Sequence, residues 1–143
     1  MPHKMRTIIS MVCDKAIADA PIVNCARDVF ELMSDICSVD REHFVVLVLN
    51  ARNLCVYKQT VSIGTLTASL VHPREVFKPA IISGGAAIIC VHNHPSGDYA
   101  PSSEDRDVTH RIVKAGGLLG IPLADHIIVS TTGYYSFREH GLL

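Results

Sequence analysis

The sequence predicts one α/β domain, a mixed central β-sheet flanked by helices. Three observations lead there. Stretches with apolar residues at helical spacing alternate with short β-branched runs, the interleaving that builds layered α/β folds. Two of those runs are separated only by Asn50-Ala51-Arg52-Asn53, a turn-forming tetrapeptide, so one strand pair is antiparallel and the sheet is mixed. The chain has 143 residues, 48% hydrophobic and 19% charged, which suits one globular domain with a core of ordinary size.

Residues 1–23 read as an N-terminal arm or strand. Lys4 and Arg6 precede the run Thr7-Ile8-Ile9-Ser10-Met11-Val12, too short for a signal peptide and interrupted by Asp14. The domain proper is expected over 24–143. Ala26, Val29, Phe30, Met33, Ile36 and Cys37 recur at helical spacing, predicting a helix over 24–37 with Asn24 as its N-cap. The β-branched run 44–49 predicts a strand buried on both faces, and 54–63 its hairpin partner, with a turn near Gly64. Pro73 starts a second helix over 74–82, which Pro79 should kink and Gly84-Gly85 should end. Residues 86–92 form a buried strand, and His94-Pro95-Ser96-Gly97 turns the chain. A third helix is expected over 103–115, with Val108, Ile112 and Val113 inward and Gly116-Gly117 closing it. Strands over 122–130 and 134–138 complete the chain.

Thirteen basic and 14 acidic residues give a net charge of -1, with no Lys/Arg run of the kind that neutralises phosphates. Five widely spaced cysteines, Cys13, Cys25, Cys37, Cys55 and Cys90, form neither C-x-x-C nor a disulfide framework, pointing to a reducing, cytoplasmic setting. No apolar stretch approaches the roughly 18 residues of a membrane span.

The chemistry concentrates at Val91-His92-Asn93-His94-Pro95-Ser96-Gly97 and the residues after it. On an extended backbone His92 and His94 point to one side. Asp105, at the start of a helix, would complete a two-histidine, one-carboxylate set for a divalent metal, most naturally zinc, with a fourth position left for water. A second reading competes. Ser102-Ser103-Glu104-Asp105 matches a capping box, which accounts for Ser102 and Asp105 with no chemistry at all, and one carboxylate cannot easily serve cap and metal together. A hydrolytic site also needs a base that is not a ligand. Glu42, directly before a buried strand, is best placed, followed by Glu75 and Glu104.

His92-x-His94, then Ser102-x-x-Asp105, with a glutamate upstream, resembles the JAMM motif of the JAB/MPN metalloprotease family. The closer resemblance is to its RadC branch, carried in order by Arg41-Glu42-His43-Phe44-Val45-Val46-Leu47, His72-Pro73-Arg74-Glu75-Val76-Phe77, His92-Asn93-His94-Pro95-Ser96-Gly97, Asp125-His126-Ile127-Ile128-Val129 and Tyr135-Ser136-Phe137-Arg138-Glu139. The resemblance covers residues 24–143. It implies a single JAB/MPN-like domain with cytidine-deaminase-like layering. It also implies Zn2+ held by His92, His94 and Asp105 with water as fourth ligand, Glu42 as general base, and Ser102 stabilising the oxyanion. The implied function is zinc-dependent hydrolysis of an amide in a peptide or protein substrate. Longer RadC proteins carry a helix-hairpin-helix region before this domain, and too few residues precede Asn24 here to hold one. Together with the charge balance, this argues against strong autonomous DNA binding. The alternative is a DNA-repair or replication factor whose role is binding DNA or protein rather than proteolysis. A zinc deaminase is excluded, because its H-x-E and P-C-x-x-C motifs are absent.

Among the other polar residues, His72 fits a helix entry, Asp125-His126 a core hydrogen bond or a contact behind a ligand, and His110 a solvated helix face. Cys90 fits core packing, and Tyr134-Tyr135 a half-buried strand.

Overall fold

A computed structural model describes residues 19–64 and 71–143. Most of the expected arm lies outside these residues. Its last part lies alongside the hairpin: Val23 donates its N–H to the Asn53 carbonyl, and Cys55 N–H donates to Pro21.

The elements run α1 (Ala26–Leu32), a 3-10 turn (Ser34–Ile36), β1 (His43–Leu49), β2 (Cys55–Ile63), α2 (Pro73–Ser83), β3 (Ala87–Asn93), α3 (Ser103–Leu119), β4 (Leu123–Val129) and β5 (Tyr134–Ser136). The strands form one mixed sheet in the order β2-β1-β3-β4-β5. Only β3 and β4 are parallel, joined by the α3 crossover; the other pairs are antiparallel. The expected α/β architecture with a mixed sheet is therefore present.

Strand alternation divides the apolar side chains into two cores. Val45, Leu47, Ile89, Val91 and Ile127 face α1 and its continuation, against Val29, Met33 and Ile36. Phe44, Val46, Val48, Ile88 and Cys90 face α2 and α3, against Val76, Phe77, Ala80, Val108 and Ile112. With both faces covered, the central strands β1 and β3 read as continuous apolar runs.

Two helices differ from expectation. The first ends at Leu32 and is capped by Cys25, not Asn24. The reason is Asp28, whose Oδ2 accepts both the Asn24 and Cys25 N–H groups at 2.8 and 3.1 Å. Met33 and Ile36 stay inward because the chain tightens into a 3-10 turn rather than unwinding. The third helix continues through Gly116-Gly117 to Leu119, and Gly120 supplies the left-handed C-cap. Gly116 is a packing residue: a Cβ there would stand 2.6 Å from the Ile121 carbonyl oxygen and 3.3 Å from Phe77. Val113 is 41% exposed, because the inward stripe runs through Asp105, Val108, Thr109, Ile112 and Gly116. The second helix runs through Pro79 and ends, as expected, at Gly84 in the left-handed conformation.

Candidate metal centre

The histidines sit at the C-terminal end of β3. Phe44 pairs with His92 across the antiparallel β1–β3 ladder, so His92 lies on the α2/α3 face together with Cys90. Asp105 reaches the same place from the first turn of α3. His92 Nε2 lies 3.0 Å from Asp105 Oδ1, His94 Nε2 3.2 Å from Asp105 Oδ2, and the two Nε2 atoms 3.0 Å apart. His92 and Asp105 are 1% and 2% exposed, so the cluster is closed on the protein side, and His94 forms its open edge.

This donor set fits a metal. Zinc with bonds of 2.0–2.1 Å to nitrogen and oxygen holds tetrahedral ligands roughly 3.3 Å apart, close to the separations here. His94 Nδ1 lies 2.7 Å from the Asp98 carbonyl, which only accepts, so the neutral ring keeps its proton on Nδ1 and its lone pair on Nε2. Among the described residues, His92, His94 and Asp105 are the group able to hold an ion.

The cap and the cluster share Asp105: Oδ2 serves the cap while also lying 3.2 Å from His94 Nε2, and Oδ1, 3.0 Å from His92 Nε2, takes no part in the cap. Oδ2 accepts the Ser102 N–H at 2.7 Å, and the Ser102 hydroxyl accepts the Asp105 N–H at 3.1 Å, completing the capping box. Oδ1 remains turned to His92. The cap therefore aims the carboxylate. Burial alone would raise the Asp105 pKa, but hydrogen bonds from His92 and His94, the charge of His92 and the Ser102 N–H hold it far below the usual carboxylate range. Burial also works against a charged His94, and bonds to Asp105 and the Asp98 carbonyl, with the charges of Asp105 and Glu42, reverse the effect and raise it.

Glu42 is half-buried immediately before β1. Extending the Phe44–His92 register by two residues sets Glu42 opposite His94, and its charge is felt there. A cleft lined by Asp40, Arg41, Glu42, Gly64 and Pro95 opens beside it. The backbone on both sides of Glu42 is clamped by Asn93, the residue between the histidines. Asn93 Oδ1 accepts the His43 N–H at 2.6 Å, and Nδ2 donates to the Arg41 carbonyl at 2.9 Å. Glu42's own carbonyl accepts from Gly64 N–H at 2.8 Å. The sequence reading passed over Asn93. Its available signal was position: between two same-face histidines it must point to the other side, where a buried amide needs backbone partners.

Behind His92, His126 places Nε2 2.8 Å from His92 Nδ1, and Thr109 Oγ1 contacts His126 Nδ1. His126 is fully buried, stacked on Phe137 and edge-on to Phe44; burial holds its pKa well below the ordinary histidine value. Asp125 is occupied away from the His92, His94 and Asp105 cluster. Its carboxylate accepts from Ser136 Oγ and from the N–H groups of Arg138 and His126.

The remaining candidates lie elsewhere. Glu75 is exposed in the first turn of α2, 3.9 Å from Arg74, and Glu104 is exposed beside Ser103. His72 is the N-cap of α2, its Nδ1 accepting from Arg74 N–H. His110 is exposed. Cys90 is fully buried, and desolvation pushes its thiol pKa far up. Tyr134 packs on Phe30, and Tyr135 stacks on His140.

A family model described as "RadC-like JAB domain" matches residues 23–142. The chain belongs to the RadC-like JAB domain family. Relatives in this family include three UPF0758 proteins. That of Rubrobacter xylanophilus is 52% identical over 86% of this chain and 54% of its own length. GK2618 of Geobacillus kaustophilus is 48% identical over 87% and 55%, and STH371 of Symbiobacterium thermophilum 53% over 82% and 50%. The chain thus spans about half the length of the curated relatives it matches. No helix among the described residues is long and apolar enough to cross a membrane.

Proposed function

We propose that this RadC-like JAB domain is a zinc-dependent hydrolase of the JAMM type that cleaves a peptide or isopeptide-like amide. The observation that carries the reading is the convergence of His92, His94 and Asp105 at 3.0–3.2 Å, with Glu42 half-buried on the approach to β1, the strand paired with the histidine-bearing β3. Zinc bound by those three residues would supply a Lewis acid and bring the pKa of water near neutrality. Glu42 is the general base: it takes a proton as the water oxygen adds to the carbonyl carbon. It returns that proton to the nitrogen as the C–N bond breaks. Ser102, exposed at the N-terminus of α3, donates its O–H to the carbonyl oxygen as that atom gains charge. The cleft at Glu42 and Pro95 admits the scissile amide.

Metal analysis of purified protein should find about one zinc per chain, as expected for one three-ligand site. His92→Ala and Asp105→Ala should lose it. Glu42→Gln should keep the zinc and abolish cleavage of peptide and isopeptide-linked model substrates. Failure of the wild type to retain zinc at saturating supply would sink the reading.

A further inference from the structure

The described polar contacts behind the metal-facing atoms form a closed circuit. His92 Nδ1 lies 2.8 Å from His126 Nε2, and His126 Nδ1 contacts Thr109 Oγ1. Thr109 Oγ1 in turn lies 2.6 Å from the Asp105 carbonyl oxygen. The circuit begins at one ligand and ends on the backbone of another. His92, His126, Thr109 and Asp105 are all buried.

Counting hydrogens fixes its direction. The Asp105 carbonyl has no proton to give, so a 2.6 Å O···O contact requires the one hydroxyl hydrogen of Thr109. Thr109 Oγ1 must then accept from His126, which places the His126 proton on Nδ1 and leaves its Nε2 a lone pair. That lone pair accepts from His92, so the proton of neutral His92 is on Nδ1. The lone pair of His92 Nε2 then faces Asp105 and His94. The reverse direction would press two oxygen lone pairs together at 2.6 Å.

We infer that Thr109 and His126 are positioning residues for the metal, fixing the tautomer of His92 so that Nε2 is its ligand atom. The proposal rests on the zinc reading above and deepens it, since a partner on the far nitrogen orients a metal-binding histidine and raises its basicity.

The first test needs no metal and no substrate. In metal-free wild-type protein at about pH 8.5, some two units above the ordinary imidazole value, ¹⁵N NMR should show His92 protonated on Nδ1, with a through-hydrogen-bond coupling to His126 Nε2. A His92 protonated on Nε2 with Nδ1 bare overturns the inference outright. Thr109→Val removes the hydroxyl at similar volume; it should mix the His92 tautomers and weaken zinc binding about 10–100-fold in chelator competition. Thr109→Ser keeps the hydroxyl and should restore the single tautomer and an affinity near wild type. Wild-type tautomer and affinity in folded Thr109→Val overturn the role of Thr109. If Thr109→Val does not fold, the wild-type spectrum decides alone. A chain that binds no zinc yet shows the His92 Nδ1 proton overturns the hydrolase reading and leaves the circuit standing.

Discussion

Asn93 and Asp125 are buried polar residues that each tie together backbone from distant segments, and each carries a prediction. Asn93→Ala leaves the His43 N–H and the Arg41 carbonyl without their side-chain partner, at a cost of roughly 1–3 kcal/mol. Because those groups flank Glu42 and not His92, His94 or Asp105, the proposed hydrolysis should fall far more in the variant than zinc affinity. Comparable losses in both would remove the distinction. Asp125 bears on stability and pH. Burial raises its pKa, and hydrogen bonds from Ser136, Arg138 and His126 only partly offset this. A carboxyl whose folded pKa exceeds its unfolded value of about 3.9 binds its proton more tightly when folded. Its contribution is therefore full below that value and is lost as pH rises through the folded pKa. Asp125→Asn does not titrate, so its stability relative to wild type should improve between about pH 4 and pH 7 in urea unfolding. The opposite trend would mean that the three donors outweigh burial.

At the scale of elements, α3 offers two neighbouring glycines with opposite expectations. Gly116→Ala forces a Cβ against the Ile121 carbonyl and Phe77 and should destabilise by about 1–3 kcal/mol, the usual cost of overpacking. Gly117 is exposed, helical and has nothing within 4 Å of an added Cβ, so Gly117→Ala should stabilise by about 0.5–1 kcal/mol. Equal effects in thermal unfolding would contradict the packing role of Gly116. The pair also shows where local sequence stops being informative. Strands β1 and β3 were legible because a sheet covered on both faces writes itself as unbroken apolar runs. The end of α3 was not, since a glycine pair looks like a terminator unless Ile121 and Phe77 are known to press on it. The site divides the same way. His92, His94 and Asp105 share a motif whose spacing is visible, and Asn93 reaches partners some fifty residues away. Thr109 meets His126 only because β3 and β4 are parallel neighbours spanned by α3.

Across the whole molecule, the site lies where three separately held segments meet: the end of β3, the approach to β1 and the start of α3. The residues linking His94 to Asp105 are pinned in turn, His94 N–H to the Val129 carbonyl at 2.9 Å and Thr132 Oγ1 to the Gly97 carbonyl at 2.6 Å. A metal held by His92, His94 and Asp105 would therefore cross-link the sheet to its crossover helix, an arrangement that exists only in the folded chain. Ligand binding of that kind raises stability by mass action, about 2.7 kcal/mol when free zinc is 100 times its Kd. For a domain of this size that corresponds to a rise in Tm of roughly 5–10 °C. Zinc added to chelator-treated protein should produce this rise in wild type and in Glu42→Gln, and excess chelator should reverse it. His92→Ala and Asp105→Ala should show no zinc-dependent shift. A rise that survives in both would place the stabilising ion elsewhere in the chain. A rise lost in Glu42→Gln would make Glu42 a ligand instead of the base.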